Sequence, residues 1–326
     1  MAAPLPSGDT HEPSRICGLL YCGDSEERHV NLAADETDPL TIYVRNALTL
    51  ARSANVHGQE ITLVTNDAAR IAALVAREGG ADAGMKLEEL VFTLDVPRAI
   101  PFRSAHFKLE MLRIFGEGRF GEFPVLVDID VVLIHPLRFS GEDVLWAYDI
   151  SAQEWGAVPD HRATATLDLL AGQPLASHQW FGGEFLAGSS ERFAELSREI
   201  ARIWPTYCAS VHAIQHPGDE MVLSSALNLL AERGFPWRDA GAAGLVARWW
   251  SVHTTNAIGS LTEAEDSALL HLPADKAFLA QFSDRAFDVS GFLSAYRNHV
   301  SGRLRGNRMR SIAARLRGRR HAPALT

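Results

Sequence analysis

Cysteine and lysine are scarce in this chain, and it has neither a long apolar run nor a glycine-rich phosphate loop. Its three cysteines, Cys17, Cys22 and Cys208, cannot all pair, and their spacings fit no zinc or thioredoxin motif, which points to a reducing, intracellular setting. No stretch approaches the roughly 18–20 apolar residues of a membrane span, and residues 1–15 lack the apolar segment of a secretory leader. The expectation is a cytoplasmic protein. Without a GxGxxG or GxxxxGK[S/T] loop, a dehydrogenase or a kinase has little support, and no Ser or Cys nucleophile motif stands out. Of the 31 basic side chains only three are lysines, Lys86, Lys108 and Lys276. Acidic residues are absent from 289–326, which carries nine arginines, although the whole chain has a net charge of −9. An acidic body and a basic tail imply that the tail has an anionic partner of its own.

What is present fits one large α/β unit, since 326 residues that are 47% hydrophobic can bury a substantial core. Residues 1–14 are aperiodic and read as a flexible N-terminus, 15–288 as the folded domain and 289–326 as a basic amphipathic tail. Strands are expected at 15–23, 60–67, 87–96 and through "FPVLVDIDVVLIHPL" at 123–137, alternating with helices at 38–54, 68–80 and 105–116. Such alternation indicates βαβ units and a mostly parallel central sheet. Farther on, "GEDVLWAYDI" and "WFGGEFLAGS" read as strands, with helices at 190–203 and 219–232. "LVARWWSVHTTN" and "ALLHLPAD" read as short strand or loop pieces. Nothing marks a second independent domain.

Ligands bind beyond the carboxyl ends of strands in such sheets, which collects Asp24, Asn66, Asp67, Asp128 and Asp130 at one edge. Tyr21, Cys22 and Gly23, closing strand 1, belong to the same edge. Asp128 and Asp130 interrupt an apolar run, where burial costs each charge several kcal/mol unless something pairs with it. Alternation along one strand would turn both to the same face. Two carboxylates there form a hard oxygen site for Mn²⁺ or Mg²⁺ with room for phosphate oxygens. A solvated strand end is the plainer alternative.

"VLVDIDVVLIHPL" resembles the metal-binding D-x-D strand of GT-A (Rossmann-like) glycosyltransferases, particularly the retaining family eight. "HFKLEMLRIF", "WFGGEFLAGS", "GDEMVLSSALNLL" and "LLHLPADK" are similar, in order, to that family's later segments. The resemblance implies a metal-dependent enzyme that moves a sugar from a nucleoside diphosphate, a UDP-sugar foremost, to a glycan or lipid-linked acceptor with retention of configuration. It implies metal ligation by Asp128, Asp130 and His271, and donor contacts from Ile129, Lys108, Gly182, Gly183 and Lys276, with Tyr21 to Asp24 and Asn66 near the nucleotide. Glu184, Asp219 and Glu220 become the catalytic candidates, Glu184 as a base should the reaction invert. Departures stand at Phe181 to Glu184, where the family has Asn-small-Gly, and at Asp219 to Met221, where it has Asp-Gln-Asp. Plainer readings remain for each: a helix N-terminus for Asp219 and Glu220, an Asx turn for Asp24, a solvated helix face for Lys108 and a packed side chain for His271.

The same D-x-D resembles that of haloacid-dehalogenase phosphatases, which would make Asp128 a nucleophile, Asp130 a proton shuttle and Asp219 a metal ligand. In that family the motif lies on the first strand, whereas three βα units precede it here, and Leu223 stands where a second acid belongs. A non-catalytic nucleotide-sugar-binding protein is the third possibility. "RLRGNRMRSIAARLRGRR" (303–320) sets Leu304, Ile312 and Leu316 on one face among arginines, the pattern of a helix lying on a membrane surface. No specific nucleic-acid contact is expected.

Overall fold

The computed structural model describes residues 15–23, 38–98, 100–155, 159–214, 216–252 and 259–303. In chain order the first half contains β1 (Arg15–Leu19), α1 (Pro39–Val56), β2 (Ile61–Thr65), α2 (Ala68–Arg77), β3 (Met85–Glu89), α3 (Phe107–Gly116), β4 (Pro124–Val127), β5 (Val131–Leu133) and β6 (Leu145–Asp149). There follow α4 (Ser151–Trp155), α5 (His161–Ala171), β7 (Phe181–Ala187), α6 (Ser190–Ser210), α7 (Asp219–Glu232), β8 (Trp237–Asp239) and β9 (Val246–Arg248). The last elements are α8 (Leu261–Ala264), β10 (Leu269–His271), α9 (Lys276–Leu279) and a helix, here α10, over 289–303.

Seven strands form the central sheet in the order β3-β2-β1-β4-β7-β6-β8, and β5, β10 and β9 form a second, smaller sheet. In the large sheet only β7 runs against its neighbours, pairing antiparallel with β4 and β6; the other pairings are parallel. The expected mostly parallel α/β sheet is therefore present. β2 and β4 are buried along their whole length, as strands covered by helices on both faces must be.

Two expectations about strands need correction. The third strand is not 87–96 but Met85–Glu89. Beyond it, the Glu110 carboxylate of α3 accepts the backbone N–H groups of Thr93 and Leu94 at 2.8–3.0 Å. A buried side chain thus satisfies backbone groups that a neighbouring strand would otherwise have to pair. The fourth strand, expected as one run, is two strands in different sheets. β4 pairs with β1, β5 pairs with β10, and Asp128, Ile129 and Asp130 form the crossing between them. Strand alternation consequently does not aim the two carboxylates.

The smaller sheet carries its own apolar cluster. Val132, Leu270 and Leu272 pack there with Phe278, Phe292, Tyr296 and Val300, so the segment expected as a tail from 289 begins as a helix seated on this core. Residues 304–326, which hold most of the basic stretch, lie outside the described residues, as does Asp24.

Candidate metal centre

The crossing from β4 to β5 is pinned on both sides by backbone hydrogen bonds. Asp128 N–H donates to the Glu184 carbonyl of β7 at 3.1 Å, and the Asp130 carbonyl accepts from Leu272 N–H at 3.1 Å, next to His271. Ile129 turns its side chain inward. A Cβ on Gly18 of β1 would lie 3.0 Å from the Ile129 Cγ2, so glycine in β1 makes room for the crossing.

This path brings together residues far apart in sequence. Ligand atoms of Asp128, Asp130 and His271 all lie within 4.8 Å of one another. The His271 Nε2 is 3.3 Å from Asp130 Oδ1 and 3.9 Å from Asp128 Oδ2. On the opposite side of the ring, Nδ1 lies 3.2 Å from Glu184 Oε1, the arrangement by which a carboxylate fixes the tautomer and turn of a metal-binding imidazole. Two carboxylates and an imidazole suit a divalent cation of the Mg²⁺, Mn²⁺ or Zn²⁺ type, and the donor set fits the expected Mn²⁺ or Mg²⁺.

Two of the rare lysines flank the group. Lys108 Nζ lies 2.5 Å from Asp128 Oδ1 and 3.8 Å from Asp219 Oδ2, and it donates to the Gly183 carbonyl at 3.1 Å. Lys276 Nζ pairs with Asp130 Oδ2 and donates to the Pro273 carbonyl at 3.0 Å. Burial disfavours the charges of Asp130 and Lys108, yet their pairings prevail. Asp130 is held well below the usual carboxylate range by Lys276 and His271, and the Lys108 ammonium is held charged by Asp128 and Asp219. For His271, burial lowers the pKa but Asp130 and Glu184 outweigh it and raise it to about 9. Asp219 goes the other way: burial, with Glu220 and Asp128 adding to it against Lys108, pushes it up to about 7.

The catalytic candidates differ in what they touch. Glu184 has no exposed side-chain surface, and both its oxygens are taken: Arg248 donates to Oε1 at 2.6 Å and to Oε2 at 2.7 Å, besides the His271 contact. Glu220 accepts from Arg248 Nη2 at 2.8 Å, from Trp180 Nε1 at 2.9 Å and from Gly183 N–H at 3.4 Å. Asp219 has Lys108 beside it and, of the three, the pKa nearest neutrality. Gly182 and Gly183 were expected among the donor contacts. What crowds them is the protein itself, since a Cβ would stand 2.0 Å from Glu184 Oε2 at Gly182 and 2.6 Å from Asp219 Oδ2 at Gly183.

At the edge expected to meet a nucleotide, Asn66 is occupied in holding the loop after β1: Cys22 N–H donates to Oδ1 at 2.6 Å and Nδ2 donates to the Cys22 carbonyl at 3.1 Å. Asp67 caps α2 by accepting Arg70 N–H at 3.0 Å. Tyr21 stacks on Phe107 with ring centroids 4.0 Å apart. Gly23 ends this described stretch.

Sequence reasoning missed Arg248, which links Glu184, Glu220 and, at 3.2 Å, Glu154. Its backbone N–H also donates to the Tyr148 hydroxyl at 3.0 Å. The signal was a lone arginine in "LVARWW", a charge inside an apolar run like the one that exposed Asp128 and Asp130.

No protein-family model matches the chain, and no curated protein sequence matches it. Among solved structures it is similar to the galactosyltransferase LgtC in complex with donor and acceptor sugar analogues, at 12% identity and a TM-score of 0.46, over 82% of this chain and 95% of that one.

Proposed function

We propose that this protein is a GT-A-type, divalent-metal-dependent glycosyltransferase that moves a sugar from a nucleoside-diphosphate donor, a UDP-sugar foremost, to a glycan or lipid-linked acceptor. The observation that carries the reading is the convergence of Asp128, Asp130 and His271 within 4.8 Å at the carboxyl edge of a mostly parallel sheet. Asp128, Asp130 and His271 would hold Mn²⁺ or Mg²⁺, which as a Lewis acid stabilises the charge building on a diphosphate leaving group. Lys108 and Lys276 are compact point charges paired with Asp128 and Asp130, and with a cation on the carboxylates they would add positive charge where the leaving diphosphate develops its negative charge. Asp219, with a pKa near neutrality and Lys108 beside it, would face the reacting sugar. Glu184 and Glu220, sealed by Arg248, would hold His271 and the Gly183 N–H in place rather than exchange protons. Glu184, taken up by Arg248 and His271, is not the free base that an inverting course needs, and retention of configuration is what the family resemblance implies.

The phosphatase assignment loses its metal ligand: among the described residues Asp219 does not join the group that Asp128 and Asp130 form with His271. A screen of nucleoside-diphosphate sugars for Mn²⁺-dependent release of the nucleoside diphosphate tests the transferase reading, with Asp130→Ala as control. Release that the substitution abolishes supports it. Phosphomonoester hydrolysis through an aspartyl-phosphate on Asp128 would refute it, and nucleotide affinity without turnover would leave a binding protein.

A further inference from the structure

The C-terminal segment has a second feature, independent of its arginine count. Asp275, with no exposed side-chain surface, gathers donors from two other parts of the chain. Ser251 Oγ donates to Oδ1 at 2.8 Å and Tyr296 OH to Oδ2 at 2.8 Å. His299 Nε2 lies 3.0 Å from Oδ1, and Arg303 Nη1 donates to Oδ1 at 2.7 Å. Arg303 also reaches the Ser251 hydroxyl at 2.6 Å. Tyr296, His299 and Arg303 stand three and then four residues apart, which puts them on one face of α10, and Phe292 and Val300 seat the same helix in the apolar cluster.

The residue after Asp275 is Lys276, whose ammonium reaches Asp130. Four residues before it is His271. The short segment between them has little regular structure of its own: Leu272 N–H reaches the Asp130 carbonyl and Asp275 N–H the Leu272 carbonyl. A buried carboxylate with several donors, one of them a guanidinium, is costly to disturb, because removing one member strands the others. We propose that Asp275 is a latch through which α10 fixes the 271–276 segment, making Tyr296, His299 and Arg303 positioning residues for Lys276 and His271. The C-terminal helix is then part of the site's scaffold rather than an appendage. The inference rests on the nucleotide-sugar reading only for what Lys276 meets.

The test compares Asp275→Asn and Arg303→Gln with Val300→Ala, a substitution in the apolar seat of α10 that leaves every donor to Asp275 in place. In the full chain, amide hydrogen exchange of peptides covering 269–276 is measured for each, alongside UDP affinity in Mn²⁺. The latch predicts at least about tenfold faster exchange of that segment in Asp275→Asn and Arg303→Gln, and UDP affinity weaker by about 10–100-fold, as when the support of a binding group is lost. Val300→Ala should lower the unfolding midpoint while leaving both readouts within about twofold of the unsubstituted protein. Should Asp275→Asn fail to fold, Arg303→Gln, at a partly exposed position, carries the comparison. Unchanged exchange at 269–276 in a folded Arg303→Gln protein, or equal acceleration by Val300→Ala, overturns the latch. If the unsubstituted protein binds no UDP, the donor reading falls and the exchange data alone still decide the latch.

Discussion

At the scale of single residues, the site is a set of buried charges whose partners decide their roles. Among the three catalytic candidates Asp219 is the one whose ionisation the surroundings oppose. Its folded pKa of about 7 lies above the ordinary value near 3.8, so the native state holds a proton the unfolded chain releases, and stability falls as pH rises between those values. Asp219→Asn should therefore cut turnover by about 10²–10⁴-fold and, above pH 7, gain stability on the order of 1 kcal/mol relative to the parent. Denaturant unfolding at pH 5 and pH 8 measures this; an equal difference at both pH values would contradict the assigned burial. Glu184 is expected to act at one remove. Glu184→Gln cannot satisfy both Arg248 and His271 as before, and Mn²⁺ affinity by calorimetry should weaken about 10–100-fold. Unaltered affinity would mean that Glu184 does not orient His271.

At the scale of elements, β7 does more than extend the sheet. Its glycines are small because charged groups close over them, Glu184 of the same strand at Gly182 and Asp219 of α7 at Gly183, so Gly182→Ala should push Glu184 off Arg248. The expected cost is about 1–3 kcal/mol in unfolding free energy together with weaker Mn²⁺ binding. Alanine at Gly118, where nothing lies within 4 Å but φ is +77°, is the contrast: it strains backbone without touching the site, and metal affinity should hold. Element positions were legible where a local cause existed. The helix at 219–232 begins at Gly218 with two acids in its first turn, and the structure has it at those bounds. α5 was missed although Asp160 caps it and Gly172 ends it at φ 72°. β3 was misplaced by Glu110, a side chain 17 residues distant from Thr93, and no local pattern reveals such a contact.

At the scale of the whole molecule, two apolar clusters meet at the crossing between the sheets, and α10 belongs to the second. Removal of everything after Val289 would strip Phe292, Tyr296 and Val300 from that cluster and should unfold it. Ending the chain after Arg303 instead keeps all three of those side chains. The arginines beyond it are read as contacts for anionic lipid, so this shorter chain should lose most co-sedimentation with phosphatidylserine-containing vesicles at low salt. Equal sedimentation would remove the membrane proposal. Among the described residues no helix is long and apolar enough to cross a membrane.

The sequence by itself determined the α/β class, the edge at which functional groups gather, and the interest of Asp128, Asp130, His271 and the two rare lysines. Those conclusions rest on local quantities, periodicity and a charge in an apolar run, that a linear chain carries in full. Only the tertiary structure decided that Asp128 and Asp130 occupy a crossing between sheets, that Arg248 pairs with Glu184 and Glu220, and that Asp275, next to Lys276 in the chain, gathers Tyr296, His299 and Arg303 of α10. Each of these depends on which distant groups share a low-dielectric interior, where an unpaired charge is too costly to keep, and that partnership is a property of the fold rather than of any window of sequence.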